Sequence, residues 1–104
     1  MANVHPLFPI ERTLLEDFCR HWRVAELSLF GSAARGEAHL ESDYDVMVEF
    51  QNDSGVGLWQ FTRMQDELAE MVGRPVDLVE KGTIRNPFRS ASIARDLLVV
   101  FRAA

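Results

Sequence analysis

Leu29-Phe-Gly-Ser-Ala-Ala-Arg-Gly-Glu-Ala-His-Leu-Glu-Ser-Asp-Tyr-Asp45 is the stretch on which the reading of this chain turns. Residues 26–30 alternate polar and apolar and stop at Gly31, the pattern of a strand running into a tight turn. Gly31 lets the backbone approach a phosphate with no side chain in the way. Ser32 adds a hydroxyl and an N–H at a helix start, where the helix dipole favours anions. A short helix over 33–35 and a polar loop over 39–42 follow. Residues 44–50 then turn to period two, with Tyr44, Val46, Val48 and Phe50 on one face and Asp45, Met47 and Glu49 on the other.

Asp43 and Asp45 are two residues apart, so on a strand both carboxylates project from one face, separated by roughly 6.5 Å along the chain. Mg²⁺ prefers oxygen ligands and commonly combines one or two carboxylates with substrate phosphates. Asp77, flanked by Val76 and Leu78, is costly inside a short apolar run unless it faces a site or a partner. Asp43, Asp45 and Asp77 are therefore the expected metal ligands and catalytic groups. In a two-metal displacement one ion draws the attacking hydroxyl toward its alkoxide form, and the other steadies the triphosphate and the leaving pyrophosphate. Three carboxylates so placed repel one another, so at least one should hold its proton more tightly than usual, and metal binding should strengthen as pH rises.

Outward from this stretch, Ile10, Leu14, Leu15, Phe18, Cys19 and Trp22 recur at helical spacing and predict an amphipathic helix over 10–22. Residues 51–57 are loop chemistry, in which Gly55 and Gly57 give flexibility and could serve a lid. Leu58, Phe61, Met64, Leu68 and Met71/Val72 trace a second long helix, stopped by Gly73-Arg74-Pro75. A strand over 76–79, a connector over 81–86, a helix over 87–96 and a terminal strand over 97–101 complete one expected domain, residues 1–104. No repeat or low-complexity tract interrupts it.

The chain has 104 residues, a hydrophobic fraction of 47% and a net charge of −5. Its arginines are dispersed and Lys81 is the lone lysine, which argues against a nucleic-acid duplex as partner. No apolar run is long enough to cross a bilayer and no secretory leader is visible, so a cytoplasmic protein is expected. The single cysteine, Cys19, reads as a buried structural thiol. His5, His21 and His39 have no ligand spacing. Trp22 and Trp59 fit core or interface packing, and Trp59, Phe61 and Phe88 are candidates for a partner surface. Glu37 and Glu41 read as solvated, and Ser42 as a backbone-bonding loop residue.

Gly31-Ser32, ten intervening residues and Asp43-Tyr44-Asp45, with Gly73-Arg-Pro-Val-Asp77 behind, resemble the minimal nucleotidyltransferases of the DNA polymerase beta superfamily. The likeness spans nearly the whole chain; Tyr44 stands where an aliphatic residue is commoner, its side chain expected to point away from the metals. The resemblance implies an α+β fold, a mixed sheet flanked by helices. It puts Gly31 and Ser32 on the nucleotide phosphates, Asp43, Asp45 and Asp77 on Mg²⁺ (two ions), and Arg35, in its Ala-Arg-Gly context, on phosphate. It further implies an antitoxin that uses ATP to adenylylate a helical HEPN-domain ribonuclease toxin, commonly on a tyrosine, within a hetero-oligomer. Two alternatives stand beside it: a non-catalytic antitoxin that neutralises its partner by contact, and transfer to a small molecule or RNA.

Overall fold

The computed structural model describes residues 4–5, 7–37, 43–52 and 54–103, with residues 4 and 5 as backbone only. In chain order the elements are β1 (Val4–His5), β2 (Phe8–Glu11), α1 (Arg12–His21), β3 (Val24–Phe30), α2 (Gly31–Ala34), β4 (Tyr44–Phe50), α3 (Leu58–Val72), β5 (Val76–Glu80), α4 (Pro87–Asp96) and β6 (Leu98–Arg102). β1 and β2 form a small antiparallel ribbon. The remaining four strands make one sheet in the order β5-β4-β3-β6. β4 runs antiparallel to β3 and parallel to β5, and β6 runs antiparallel to β3, so the sheet is mixed.

Strand alternation divides the sheet into two faces. On one, Leu27, Leu29, Val46, Val48, Val76 and Leu78 are buried with Leu15, Phe18, Cys19 and Trp22 from the α1 region and Met64 and Leu68 from α3. Burial drives the Cys19 thiol up to about 12, with the Glu16 charge adding to it, so this sulfur is packing material and no nucleophile at neutral pH. The opposite face carries Met47, and Ile93 of α4 and Leu97 just after it come to that face around a small apolar hollow.

Helix α1 begins two residues later than its periodicity predicts. Ile10 belongs to β2, where Phe8 and Ile10 are both buried and Pro9 between them is exposed, and the helix starts where the Glu11 carboxylate caps the Leu14 N–H at 3.1 Å. Ile10 and Leu14 are four apart, a spacing that also fits a helix, which is why the strand is hidden in the sequence. Helix α3 stops at Gly73, whose φ of +78° is left-handed and whose N–H closes on the Ala69 carbonyl at 2.8 Å. A Cβ there would meet no atom within 4 Å, so Gly73→Ala should cost only the backbone term. Thermal denaturation is expected to show a loss of about 1 kcal/mol; an unchanged melting point would refute the capping role.

Two details fix the end of the sheet. The Tyr44 N–H donates to the Pro75 carbonyl at 2.9 Å, tying the first residue of β4 to the approach of β5. On the outer side of β5, the Leu78 N–H donates to the Gln65 side chain of α3 at 2.9 Å.

Candidate functional site

The tie between Tyr44 and Pro75 places Asp45 directly opposite Asp77 in the parallel β4–β5 pairing. Residues so registered share a face, with backbones about 4.8 Å apart. Asp43 stands one residue ahead of β4, exposed and outside the strand, rather than within it as the spacing alone predicts. Its charge nevertheless reaches Asp45. The Asp45 carboxyl is pushed above the ordinary carboxylate range by partial burial first, then by Asp77, then by Asp43, while Arg89 pulls the other way. Tyr44 turns from this group into the core, its ring edge-on to Phe8 at 6.0 Å and under the Arg74 guanidinium at 5.4 Å.

The glycine-serine corner lies one strand away. Phe30, the last residue of β3, pairs with Asp45, and Gly31 turns off the strand with φ +67°. A Cβ built on Gly31 would sit 2.5 Å from Asp45 Oδ2, so only glycine brings the corner this close to the carboxylate. Ser32 is half-buried in the single turn of α2. Corner, Asp45 and Asp77 thus succeed one another on neighbouring strands. Arg35 is held differently: its guanidinium donates to Asp96 at 2.6 Å and Glu37 at 2.8 Å, bracing α2 against the end of α4.

The donor set suits a hard divalent cation, since all three candidates are carboxylates and the crowding at Asp45 is a repulsion that a cation would relieve. Among the described residues no three His, Cys, Asp or Glu side chains close on one point as a ready-made cage.

Sequence reasoning missed Arg89, which lies 3.9 Å from Asp77. A signal was present: an arginine in the first turn of a helix opposes the dipole, and α4 opens at Asn86, whose side chain caps the N–H groups of Phe88 and Arg89. Of the other residues singled out, Trp59 is 82% exposed and so not core, Phe61 is half-buried against Phe50, and Glu37 is exposed but paired with Arg35. His21 is exposed and packs edge-on to Trp22, while Gly57 caps α3, its N–H donating to Gln60 at 3.1 Å. His39, Glu41, Ser42 and the His5 side chain lie outside the described residues.

Residues 11–101 match the family model of the nucleotidyltransferase domain. The chain belongs to this family and is a nucleotidyltransferase. A candidate protein adenylyltransferase of Methanocaldococcus jannaschii is 39% identical to it over 100 residues, which cover 96% of this chain and 97% of the relative. In fold, the nucleotidyltransferase resembles a crystal structure of a toxin–antitoxin with AMP-PNP (TM-score 0.70, 18% identity, 88% of this chain and 73% of that one). It also resembles a structure of tri-AMPylated Shewanella oneidensis HEPN toxin in complex with MNT antitoxin (TM-score 0.62, 15% identity, 88% and 69%). The mixed sheet flanked by helices is the nucleotidyltransferase fold, and among the described residues no helix is long and apolar enough to cross a membrane.

Proposed function

We propose that this nucleotidyltransferase moves AMP from ATP onto a tyrosine hydroxyl of a HEPN-domain toxin and so acts as its antitoxin. The observation that carries the proposal is the row formed by Gly31, Asp45 and Asp77 on three adjacent strands, with Asp43 at its head. The adenylyltransferase name of the M. jannaschii relative and the AMPylated toxin in the S. oneidensis complex support the choice of donor and acceptor. Gly31 and Ser32 receive the triphosphate, and Arg35 braces the turn that carries them. Asp43, Asp45 and Asp77 would hold Mg²⁺, whose contribution when bound is to neutralise charge on the triphosphate and the departing pyrophosphate.

In the transfer, the acceptor oxygen forms a bond to the α-phosphorus. The bond from that phosphorus to the bridging oxygen of the β-phosphate breaks, and its electron pair leaves with pyrophosphate. The hydroxyl proton passes to the Asp77 carboxylate, the acid group of the row that stands farthest from the corner. Positioning and charge neutralisation carry most of such a reaction. The check is intact-mass spectrometry of the native partner after incubation with the chain, ATP and Mg²⁺. A mass increment of whole adenylyl groups, mapped to tyrosine, is expected; an unmodified partner would remove the proposal. If the Asp43→Asn/Asp45→Asn variant silences the toxin as well as the parent does, contact alone is the mechanism.

A further inference from the structure

Beside β5, the edge strand of the sheet, a groove of about 500 Å³ opens, and Asp77 and Arg89 both stand in its wall. The Arg89 guanidinium is 3.9 Å from the Asp77 carboxylate, and its charge is also felt at Asp45, the middle of the row. At that distance the two attract as charges but share no hydrogen bond. Half of each side chain is exposed, so water screens the pair and it holds little energy. The helix gains nothing from it either, since a cation in the first turn of α4 opposes the dipole. Among the described residues the Arg89 side chain donates no hydrogen bond, and its five N–H groups are open to a ligand.

Arg35 makes the contrast. The resemblance sets Arg35 on phosphate, yet its guanidinium is committed to Asp96 at 2.6 Å and to Glu37 at 2.8 Å. Asp96 lies on α4, seven residues beyond Arg89 and so on the same side of the helix. Helix α4 therefore passes from the Asp77 end of the row to the turn that carries Ser32. One arginine ties the helix to that turn; the other is left with its donors open beside the carboxylates. A guanidinium fits a phosphate closely, since its planar fork can give two parallel hydrogen bonds to the oxygens. Next to Asp77 the same charge also competes with any cation that this carboxylate would hold.

We propose that Arg89 is the phosphate-binding arginine of this site: it neutralises Asp77 in the metal-free protein, yields that carboxylate to the divalent cation, and then binds the reacting phosphate of the nucleotide. The inference rests on the adenylyl-transfer reading for its nucleotide and adds a residue to that same site. Its two roles predict shifts of opposite sign in one variant. Without nucleotide, Arg89→Gln should bind Mn²⁺ about threefold more tightly than the parent, followed by electron paramagnetic resonance, because a competing charge is gone. With Mn²⁺ saturating, the same variant should bind α,β-methylene-ATP, which cannot be transferred, about tenfold more weakly in calorimetry. Arg89→Lys separates charge from fork: Mn²⁺ affinity should stay within about twofold of the parent, while nucleotide binding recovers only in part. Arg95→Gln makes the same charge change at an exposed residue in the last turn of α4 and should move neither affinity by more than about twofold. A merely structural pin at Arg89 would not move the two affinities in opposite directions. Parental nucleotide affinity in Arg89→Gln, or Mn²⁺ binding that is unchanged or weaker, would overturn the assignment. If both shifts appear while the parent leaves its native partner unmodified, the transfer reading falls and Arg89 stands as a phosphate ligand.

Discussion

Replacing Asp45 by Asn is expected to slow transfer about a thousandfold and, in the metal-free protein at neutral pH, to raise the melting temperature. The first effect follows from removing a carboxylate from the centre of the row; a thousandfold corresponds to roughly 4 kcal/mol of transition-state stabilisation, within what a bound metal supplies. The second follows first from the partial burial of the Asp45 carboxylate and then from the groups facing it. Asp77 lies directly opposite and Asp43 is nearby, while Arg89 offsets them only in part. The folded state therefore holds the Asp45 proton to higher pH than the unfolded chain does. Stability falls as pH rises from the unfolded carboxylate value of about 3.9 through the raised folded value, and at neutrality the penalty is present in full. Asn lacks it. Like charges opposed across a strand pair cost about 0.5–1 kcal/mol, which in a domain of this size is about 2–8 °C. The difference between variant and parent should shrink below pH 4, as measured by calorimetry across pH. Added Mg²⁺ should raise the melting point of the parent far more than that of the variant. A variant that melts below the parent at neutral pH without metal would show that the carboxylates do not oppose one another.

Gly31→Ala is expected to be the most destabilising single methyl in the molecule. Two costs combine at one atom. An L-residue at φ +67° pays roughly 1–2 kcal/mol for the left-handed backbone, and the new Cβ falls 2.5 Å from Asp45 Oδ2, so the carboxylate must also move. A loss of about 2–3 kcal/mol in chemical denaturation is the expected sum. The steric part is separable. In an Asp45→Ala background the same glycine substitution should cost less by at least about 0.5 kcal/mol, a coupling that a double-mutant cycle resolves. Equal cost in both backgrounds would mean that the glycine is kept for its backbone alone and that the corner does not press on the carboxylate.

Where local chemistry sets an element, the sequence was sufficient. β4 begins and ends where its alternation does, because Tyr44, Val46 and Val48 face one continuous core. α4 starts at Pro87, in the position where its missing N–H costs nothing, behind a capping Asn86. The turn at Gly31 is where the sequence pattern puts it, and it lies against Asp45. What could not be read is set by pairing between distant segments. The two-residue spacing of Asp43 and Asp45 fits a strand through both, yet Asp43 lies one residue ahead of β4, whose first residue, Tyr44, gives its N–H to the Pro75 carbonyl. The opposition of Asp45 and Asp77 is a matter of register between strands separated by a helix, which no local pattern encodes. Arg89 and the groove beside it come together only when α4 and the connector close over the edge of the sheet. The β1–β2 ribbon escaped for a different reason: strands of two and four residues around two prolines carry too little periodicity to outweigh the helix that follows.

The hydrogen bond from Leu78 to the Gln65 amide has a bearing on how copies of this chain behave when crowded. An edge strand with free N–H groups is a template on which another chain can extend the sheet. Here the rung in the middle of that template is already taken by a side chain from the same molecule. A foreign strand would have to evict it before zipping on, which deters the runaway stacking that leads to fibres while leaving neighbouring surface open to a partner that docks through side chains.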